Sequence, residues 1–242
     1  MTTSTDMAGE WAVERIPAND AGRAFYLAQY KPFRLAALKQ DPQAFGSTYA
    51  REVAFSDETW VQRLDNPRVK TFVAVRLHDR RILSAVSLIG PMPSAEQTVT
   101  NPTRIVLSAQ ATPSDRGKEK REEGYQEVKK EDELGADNEV SLLYQNTGVY
   151  TRPEARGKGL GLKLMATAVE CARQEARRLL AGDGRNNKEQ SCQLGVEVYR
   201  TNEAAIGFYR KCGFEVRGAK VPESEDDENR PEVCMYYKNF LG

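Results

Sequence analysis

Apolar and polar residues alternate in several short stretches of the chain, and this period-two pattern is typical of β-strands. The strands that it predicts are 11–16, 71–77, 81–89, 139–150, 191–198, 214–217 and 233–237. Apolar residues spaced three and four apart predict helices at 19–38 with an interruption near Pro32, at 56–64, at about 159–181 and at 202–212. Only residues 78–80 separate the second and third strands, which predicts an antiparallel hairpin.

The segment from residue 91 to about 139 interrupts this regular order. Four prolines lie in its first part, and residues 118–133 are nearly all charged, with both signs present. Such a composition is typical of a solvated insertion, in which 104–108 is apolar enough for a short strand. The remaining element order, β-αα-ββ-(insertion)-β-α-β-α-ββ, predicts a mixed α/β sheet with one crossover at its centre. We expect a flexible N-terminus at 1–10 and a single domain over 11–242.

Composition narrows the function classes. The 242 residues include 35 Lys and Arg against 35 Asp and Glu, so the formal net charge is zero. This balance argues against a dedicated nucleic-acid-binding or polybasic membrane protein, whose affinity depends on a surplus of positive charge. No stretch approaches the roughly 18 apolar residues of a membrane helix, and residues 1–10 do not look like a secretory signal. We expect a cytoplasmic protein with no membrane or nucleic-acid partner.

Cysteine and histidine are too few and too scattered for a metal site. The cysteines at 171, 192, 212 and 234 form no CxxC pair, and His78 is the only histidine. We therefore expect no metal, and reduced, partly buried thiols. Because His78 lies in a turn-like segment between two strands, a solvated histidine is favoured over the base of a Ser-His or Cys-His pair.

A glycine-rich turn after the strand 139–150 carries the most chemical information. Gly157, Gly159 and Gly161 have no Cβ, so successive N–H groups can converge there, and the following helix adds its unpaired donors and positive dipole end. This combination predicts a phosphate cradle. The GxGxG spacing matches neither a Walker A loop nor a GxGxxG dinucleotide motif, and a tight turn without a ligand is the alternative.

Two signatures around this turn resemble a known family. The run Arg156-x-x-Gly159-x-Gly161 resembles the Q/R-x-x-G-x-G/A acetyl-CoA loop of the GNAT superfamily of N-acetyltransferases. Residues 196–214 resemble the second signature of that family, in which a strand is followed by Asn, a small-residue turn and Phe-Tyr-x-x-x-Gly-Phe. The segment Asp41–Gly46 is similar to small-molecule members. Because both signatures occur in the right order, we interpret the chain as an acyltransferase of this type, with acetyl-CoA as co-substrate.

The resemblance implies a GNAT-like fold and a set of site residues. The sheet would be mixed and mostly antiparallel, flanked by helices, and its central parallel strands at 140–150 and 192–198 would splay apart around acetyl-CoA. Backbone N–H groups of the turn would hold the pyrophosphate, and the backbone of Val149 and Thr151 would pair with the pantetheine arm. The implied cofactor-binding residues are Val149, Thr151, Arg156, Gly157, Lys158, Gly159, Leu160, Gly161, Asn202 and Tyr209.

Two residues would take part in the chemistry itself. The Val149 N–H would polarise the thioester carbonyl, and Tyr209 would protonate the departing CoA thiolate. Asn202 would contact the cofactor arm. Judged by pattern alone, a plain helix N-cap is favoured for Asn202 and a core aromatic residue beside Phe208 is favoured for Tyr209. Only the two signatures together favour the functional roles.

The implied reaction is direct attack of a primary amine, from a small molecule or a peptide, on the thioester in a ternary complex. The proton acceptor stays open. Gln145 stands where many relatives carry a carboxylate and cannot serve, which leaves Glu139, Glu197 or a water chain. Because Glu197 lies between Val196 and Val198, its side chain faces away from theirs, and we expect it on the surface.

The acceptor and the assembly are less constrained. The acidic loop 223–228 favours a cationic amine, although a plain solvated loop has the same composition. The N-terminal aromatic residues, among them Trp60 and Tyr49, are expected mainly in the core. Homodimers are common in such families.

The two competing functions are a non-catalytic acyl-CoA-binding sensor or scaffold, and a turn that holds another phosphate ligand such as a nucleotide.

Overall fold

The computed structural model describes residues 10–93, 140–182, 191–219 and 232–241. Within these ranges seven strands form one sheet of order β1-β2-β3-β4-β5-β7-β6. They are β1 Trp11–Arg15, β2 Val69–Arg76, β3 Ile82–Pro93, β4 Val140–Thr151, β5 Ser191–Tyr199, β6 Phe214–Ala219 and β7 Glu232–Tyr237. Only β4 and β5 pair in parallel, and the other neighbours pair antiparallel. The expected mixed, mostly antiparallel sheet with a central parallel pair is therefore confirmed.

Six α-helices flank the sheet within the same ranges. They are α1 Asp20–Phe25, α2 Lys31–Gln40, α3 Tyr49–Val53, α4 Asp57–Asp65, α5 Leu160–Gly182 and α6 Glu203–Lys211. Local chemistry explains several of their starts, because the side chains of Asn19, Thr48, Ser56 and Asn202 accept hydrogen bonds from backbone N–H groups in the first turns that follow. The short helix α3 is absent from the sequence-based prediction.

The helix predicted over 19–38 is not interrupted at Pro32. Pro32 lies in the first turn of α2, where a proline removes no helical hydrogen bond. The irregularity lies just before it, at the π-helical segment Tyr26–Tyr30, which joins α1 to α2. The helical path is therefore continuous from residue 20 to residue 40.

The insertion begins later than the sequence predicts. β3 continues through Pro91 to Pro93, and Met92 pairs with Leu143. The β3–β4 register shifts between Ile89 and Met92, and this irregularity accommodates Pro91, which has no N–H to donate. Met92 is buried against Ile89. β3 therefore extends four residues beyond the strand predicted over 81–89. Residues 94–139, with the predicted strand at 104–108 and Glu139, and the acidic loop 223–228 lie outside the described residues, so the single-domain organisation stays a prediction.

Apolar side chains cover both faces of the sheet. On one face, α5 contributes Leu160, Leu164, Ala168 and Ala172, the stripe that its sequence predicts, and packs against strands β2 to β5. On the other face, α1, α2 and α4 pack against β2 and β3, with Trp60 fully buried among Tyr26 and other aromatic residues. Each fully buried side chain of this size contributes about 2 kcal/mol. The two packed layers cover a sheet in which β4 and β5 are neighbouring inner strands.

The expectations about thiols and histidine hold. The four cysteines are half-buried and form no disulfide with one another, and burial raises the pKa of Cys171, Cys192 and Cys212. The His78 side chain is 69% exposed. In the described part of the chain, no group of three or more His, Cys, Asp or Glu side chains could hold a metal ion. No helix in that part is long and apolar enough to cross a bilayer.

Candidate active site

The parallel strands β4 and β5 separate in the middle of the sheet. Their pairing runs from Val140 opposite Ser191 to Gln145 opposite Gly195 and then stops. Beyond that point β4 pairs only with β3 and β5 only with β7. The gap opens into a cavity of about 1020 Å³. A splayed parallel pair with a cleft between its diverging ends is what the sequence resemblance implies.

A bulge at Gly148 sets which backbone groups of β4 face the gap. Gly148 has φ +62°, and the β3–β4 register shifts there, so β4 has a bulge at this glycine. Past the bulge, the N–H of Arg152 donates to the Leu83 carbonyl of β3 at 2.9 Å. Because successive residues of a strand alternate their N–H and C=O groups between its two edges, those of Val149 and Thr151 point into the gap.

The glycine turn closes one side of the cavity. Gly157 and Gly159 have φ +78° and +77°, a conformation that costs other residues roughly 1–2 kcal/mol. A Cβ on either would meet nothing within 4 Å, so backbone conformation rather than crowding requires glycine here. Gly161 is different, because its Cβ would lie 3.1 Å from the Phe208 ring. The buried Ala155 and Leu160 anchor the turn on either side.

Nearly all predicted site residues line this one cavity. Those that do are Val149, Thr151, Arg156, Gly157, Gly159, Leu160, Gly161, Asn202 and Tyr209. Lys158 does not belong to this lining, and it is exposed at the outside of the turn. We call residues 149–161 the turn wall. Across the cavity Asp41, Gln43, Ala44 and Gly46 also line it, and we call residues 41–46 the N-terminal wall.

Tyr209 and Asn202 combine structural contacts with a place in the cavity. The Tyr209 ring packs edge-on against Phe208 and Phe214, and burial raises the pKa of Tyr209, so its phenol is protonated at neutral pH. The Asn202 side-chain oxygen accepts from the Ala205 N–H at 3.1 Å, so Asn202 is the N-cap of α6. Its NH₂ group remains the donor that it can offer to the cavity.

Arg156 connects the two walls. Its Nε donates to the Thr151 carbonyl at 3.1 Å, and its Nη2 donates to Oδ2 of Asp41 at 2.8 Å. The same Asp41 oxygen accepts from the Tyr150 hydroxyl at 2.9 Å. Burial raises the pKa of Tyr150 to about 12, and the hydrogen bond to Asp41 adds to this shift. Asp41 and Tyr150 have no role that the sequence predicts, and no sequence pattern pairs Asp41 with an arginine 115 residues later.

A buried ion cluster supports the N-terminal wall from behind. Glu52 is 1% exposed and pairs with Arg34 at 2.8 Å and with Arg63 at 3.3 Å. Although burial alone would raise the pKa of Glu52, hydrogen bonding to Arg34 and the charges of both arginines lower it to about 2. The Arg34 guanidinium lies 4.5 Å over the Phe45 ring, and Phe45 packs on Tyr150.

The candidates for a proton acceptor have different positions. Gln145 is buried at the last β4–β5 pair and offers no carboxylate. Glu197 is half-buried and lines the cavity, so the expectation of a surface carboxylate is wrong. Glu197 lies in the part of β5 that no longer pairs with β4, so a residue there borders the gap and not another strand on that side. Next to Gln145, both amide atoms of the buried Asn146 have no hydrogen-bond partner among the described residues.

Comparisons with known proteins agree with this geometry. A family model described as an acetyltransferase (GNAT) domain matches residues 118–216. The acetyltransferase of GNAT family from Streptococcus pneumoniae is 12% identical, with 94% of this chain and 98% of that chain covered and a TM-score of 0.53. Arabidopsis thaliana NAA60 in complex with acetyl-CoA is 11% identical, with 94% and 97% covered and a TM-score of 0.51. At these identities the two structures show the shared fold.

A curated relative matches a shorter region. The L-methionine sulfoximine/L-methionine sulfone acetyltransferase of Pseudomonas aeruginosa is 31% identical over 70 residues, which are 29% of this chain. The match in Pseudomonas paraeruginosa has the same extent. The chain spans about one third of the length of these curated relatives.

Proposed function

We propose that this protein is an N-acetyltransferase that moves the acetyl group of acetyl-CoA to a primary amine of a small molecule or peptide. The match of residues 118–216 to a family model described as an acetyltransferase (GNAT) domain supports this proposal. The amine attacks directly in a ternary complex. The observation that carries the proposal is the gap between β4 and β5, which has two cavity-facing backbone positions on one side and a glycine turn with a helix N-terminus at its mouth.

The turn wall fits the cofactor. Acetyl-CoA supplies an activated acyl group and a pyrophosphate. N–H groups between Arg156 and Gly161, with the positive end of the 23-residue helix α5 behind them, bind the pyrophosphate. The backbone of Val149 and Thr151 binds the pantetheine arm as an added strand would, and the Asn202 NH₂ group donates to it.

Two groups act where the bond changes occur. The Val149 N–H points into the gap and stabilises negative charge that develops on the acetyl carbonyl oxygen. Tyr209 is protonated and lines the same cavity, so its hydroxyl can donate a proton to the departing sulfur. No group of the chain needs to form a covalent bond to the substrate, which agrees with the exposed position of His78.

The acceptor side favours a cationic amine. Four carboxylates line the cavity, those of Asp41, Glu197, Glu203 and Glu232, against two basic side chains, those of Arg156 and Lys211. This surplus of negative charge attracts a positively charged acceptor. L-methionine sulfone, which the curated relatives are named for, and polyamines are therefore useful first probes. The proton acceptor is Glu139, Glu197 or a water chain, because Gln145 has no carboxylate.

A turnover screen tests the proposal. The full-length protein is incubated with acetyl-CoA and a panel of polyamines, amino acids, aminoglycosides and peptides, and mass spectrometry detects the acetylated amine alongside free CoA. We expect at least one cationic amine to be acetylated in a protein-dependent way. Binding of CoA without turnover of any amine would contradict the proposal and favour the sensor or scaffold. Calorimetry that finds tighter binding of ATP or NAD than of CoA would favour a nucleotide site.

A further inference from the structure

One carboxylate oxygen joins the two walls of the cavity. Oδ2 of Asp41 accepts from Arg156 at 2.8 Å and from the Tyr150 hydroxyl at 2.9 Å. The Asp41 side chain is 24% exposed and that of Arg156 52%, and both residues line the cavity. A ligand in the cavity can therefore reach either partner of this ion pair.

A pyrophosphate on the turn competes with Asp41 for Arg156. A guanidinium presents a rigid fork of donors that matches phosphate oxygens, and the phosphates carry more charge than one carboxylate. The N–H groups of the turn hold the phosphates beside Arg156, which further favours the exchange. In the ion pair Arg156 also occupies the Thr151 carbonyl, one of the backbone groups that face the gap.

Asp41 keeps its position when Arg156 leaves. The Tyr150 ring is packed against Phe33 and Phe45, with 5.8 Å between ring centroids in each pair. Its hydroxyl therefore continues to orient the carboxylate. Asp41 is then a negative group at the cavity surface that has lost its cationic partner.

We propose that Asp41 binds the cationic amine of the acceptor, and that Arg156 blocks this carboxylate until the pyrophosphate of acetyl-CoA draws it away. The inference rests on the proposed function, because it concerns the acceptor side of the same site. Cofactor binding creates the acceptor site, so the two ligands bind with positive coupling, and by thermodynamic linkage the coupling is reciprocal.

Calorimetry with CoA tests the competition directly. Asp41→Asn keeps the size of the side chain and an acceptor for Tyr150 but removes the charge that holds Arg156. We expect this variant to bind CoA about threefold to tenfold more tightly than the wild type, a coupling of the usual size. Glu170→Gln is the matched control, because Glu170 pairs with Arg173 at 3.2 Å on α5 and neither residue lines the cavity. CoA affinity in this control should stay within about twofold.

Spermidine, titrated with and without CoA, tests the acceptor site. In the wild type we expect CoA to tighten spermidine binding by at least about fivefold. Asp41→Asn should weaken spermidine binding in the presence of CoA by about tenfold and remove the effect of CoA. In turnover the same variant should raise the KM for spermidine about tenfold and change kcat less than about threefold.

Arg156→Gln is a second, independent test, in which we expect CoA affinity to fall and spermidine affinity in the absence of CoA to rise. It weakens CoA binding, but it leaves Asp41 open, so spermidine should bind without CoA as tightly as it binds the wild type with CoA. The inference is overturned if spermidine fails to bind the CoA complex, if Asp41→Asn alters neither affinity, or if Arg156→Gln leaves binding of spermidine alone unchanged.

The outcomes also separate this inference from the proposed function. Coupled binding of CoA and spermidine without acetylation of any amine would refute the enzyme and leave the exchange of Arg156 in place. Acetylation of amines by an Asp41→Asn variant with wild-type KM values would keep the enzyme and refute the role of Asp41.

Discussion

The two walls of the cavity are built in different ways. The turn wall comes from one contiguous stretch, 149–161, and offers mainly backbone groups whose directions follow from strand alternation and two glycines with positive φ. The N-terminal wall, 41–46, offers side chains, and its shape depends on the Arg34–Glu52–Arg63 cluster behind it. Backbone groups are present whatever the side chain, so the turn wall suits the cofactor that every reaction cycle uses. The side chains of the N-terminal wall can be substituted to suit a particular acceptor.

The strongest way to break the turn wall is to place a charge on it. Gly159→Glu points a carboxylate into open space beside the cradle, where it repels the pyrophosphate, and we expect at least about a 1000-fold loss of CoA affinity, about 4 kcal/mol. Because φ is +77°, the substitution also costs about 1 kcal/mol of stability. Calorimetry and thermal unfolding measure the two effects.

The matched control is Gly207→Glu, which adds the same charge on α6 at a glycine whose Cβ also meets nothing within 4 Å and which does not line the cavity. It should bind CoA as the wild type does. Wild-type affinity in Gly159→Glu would refute the assigned cradle.

A substitution in the buried Arg34–Glu52–Arg63 cluster should destabilise the N-terminal wall. Glu52→Gln leaves Arg34 and Arg63 without their anion, and we expect a loss of about 3 kcal/mol in the free energy of unfolding, measured by urea denaturation at pH 7. Asp20→Asn is the control, since Asp20 is fully exposed in its pair with Arg23 and its loss should have little effect on stability. CoA affinity should change much less than acceptor affinity, because Arg34 of the cluster packs on Phe45 of the N-terminal wall.

The pH dependence of stability checks the same residue. Because the pKa of Glu52 in the folded protein is about 2, below the roughly 4.3 of an unfolded glutamate, its stabilisation is complete above the unfolded value and is lost as pH falls towards 2. The difference between wild type and Glu52→Gln should therefore shrink as the pH falls from 5 to 2. Asp79, whose pKa Arg76 also lowers, contributes to acid unfolding equally in both proteins. A difference that stays constant over this range would show that Glu52 does not carry it.

A substitution of Tyr209 should lower the rate of acetyl transfer without an equal loss of CoA affinity. Tyr209→Phe keeps the packing on Phe208 and Phe214 but removes the proton donor, so we expect kcat to fall about 100-fold while CoA affinity changes less than about threefold. Tyr237→Phe removes a hydroxyl outside the cavity lining and should leave kcat unchanged. An unaltered kcat in Tyr209→Phe would remove Tyr209 from the mechanism.

The smallest effect is expected at Gly161. A Cβ there would meet the edge of the Phe208 ring at 3.1 Å, and a ring edge can shift by a few tenths of an ångström. Gly161→Ala should therefore cost less than about 1 kcal/mol of stability and change CoA affinity by less than about threefold. A loss as large as that of Gly159→Glu would mean that the N–H geometry of the first turn of α5, and not only the two positive-φ glycines, determines binding.

Local sequence patterns predicted much of the lining of the candidate site. The alternation in 139–150 and 191–198, the spacing of Gly157 and Gly159, and the Asn202 cap are local features, so their physical consequences are readable without a fold. The burial of Glu197 at the cavity was missed, since alternation says which way a side chain points but not what lies there. The start of the insertion was also missed, because proline is a strong breaker signal that the β3–β4 register overrides.

The sequence by itself therefore determined the order of the elements, the glycine turn and the backbone positions that belong to it. Only the tertiary structure decided that Asp41, at the end of a helix near the N-terminus, shares one oxygen between Tyr150 and Arg156. It also decided that Glu52 organises the opposite wall through two arginines. The reason is physical: backbone conformation is set by near neighbours along the chain, whereas the pairing of charges far apart in sequence depends on how the layers pack.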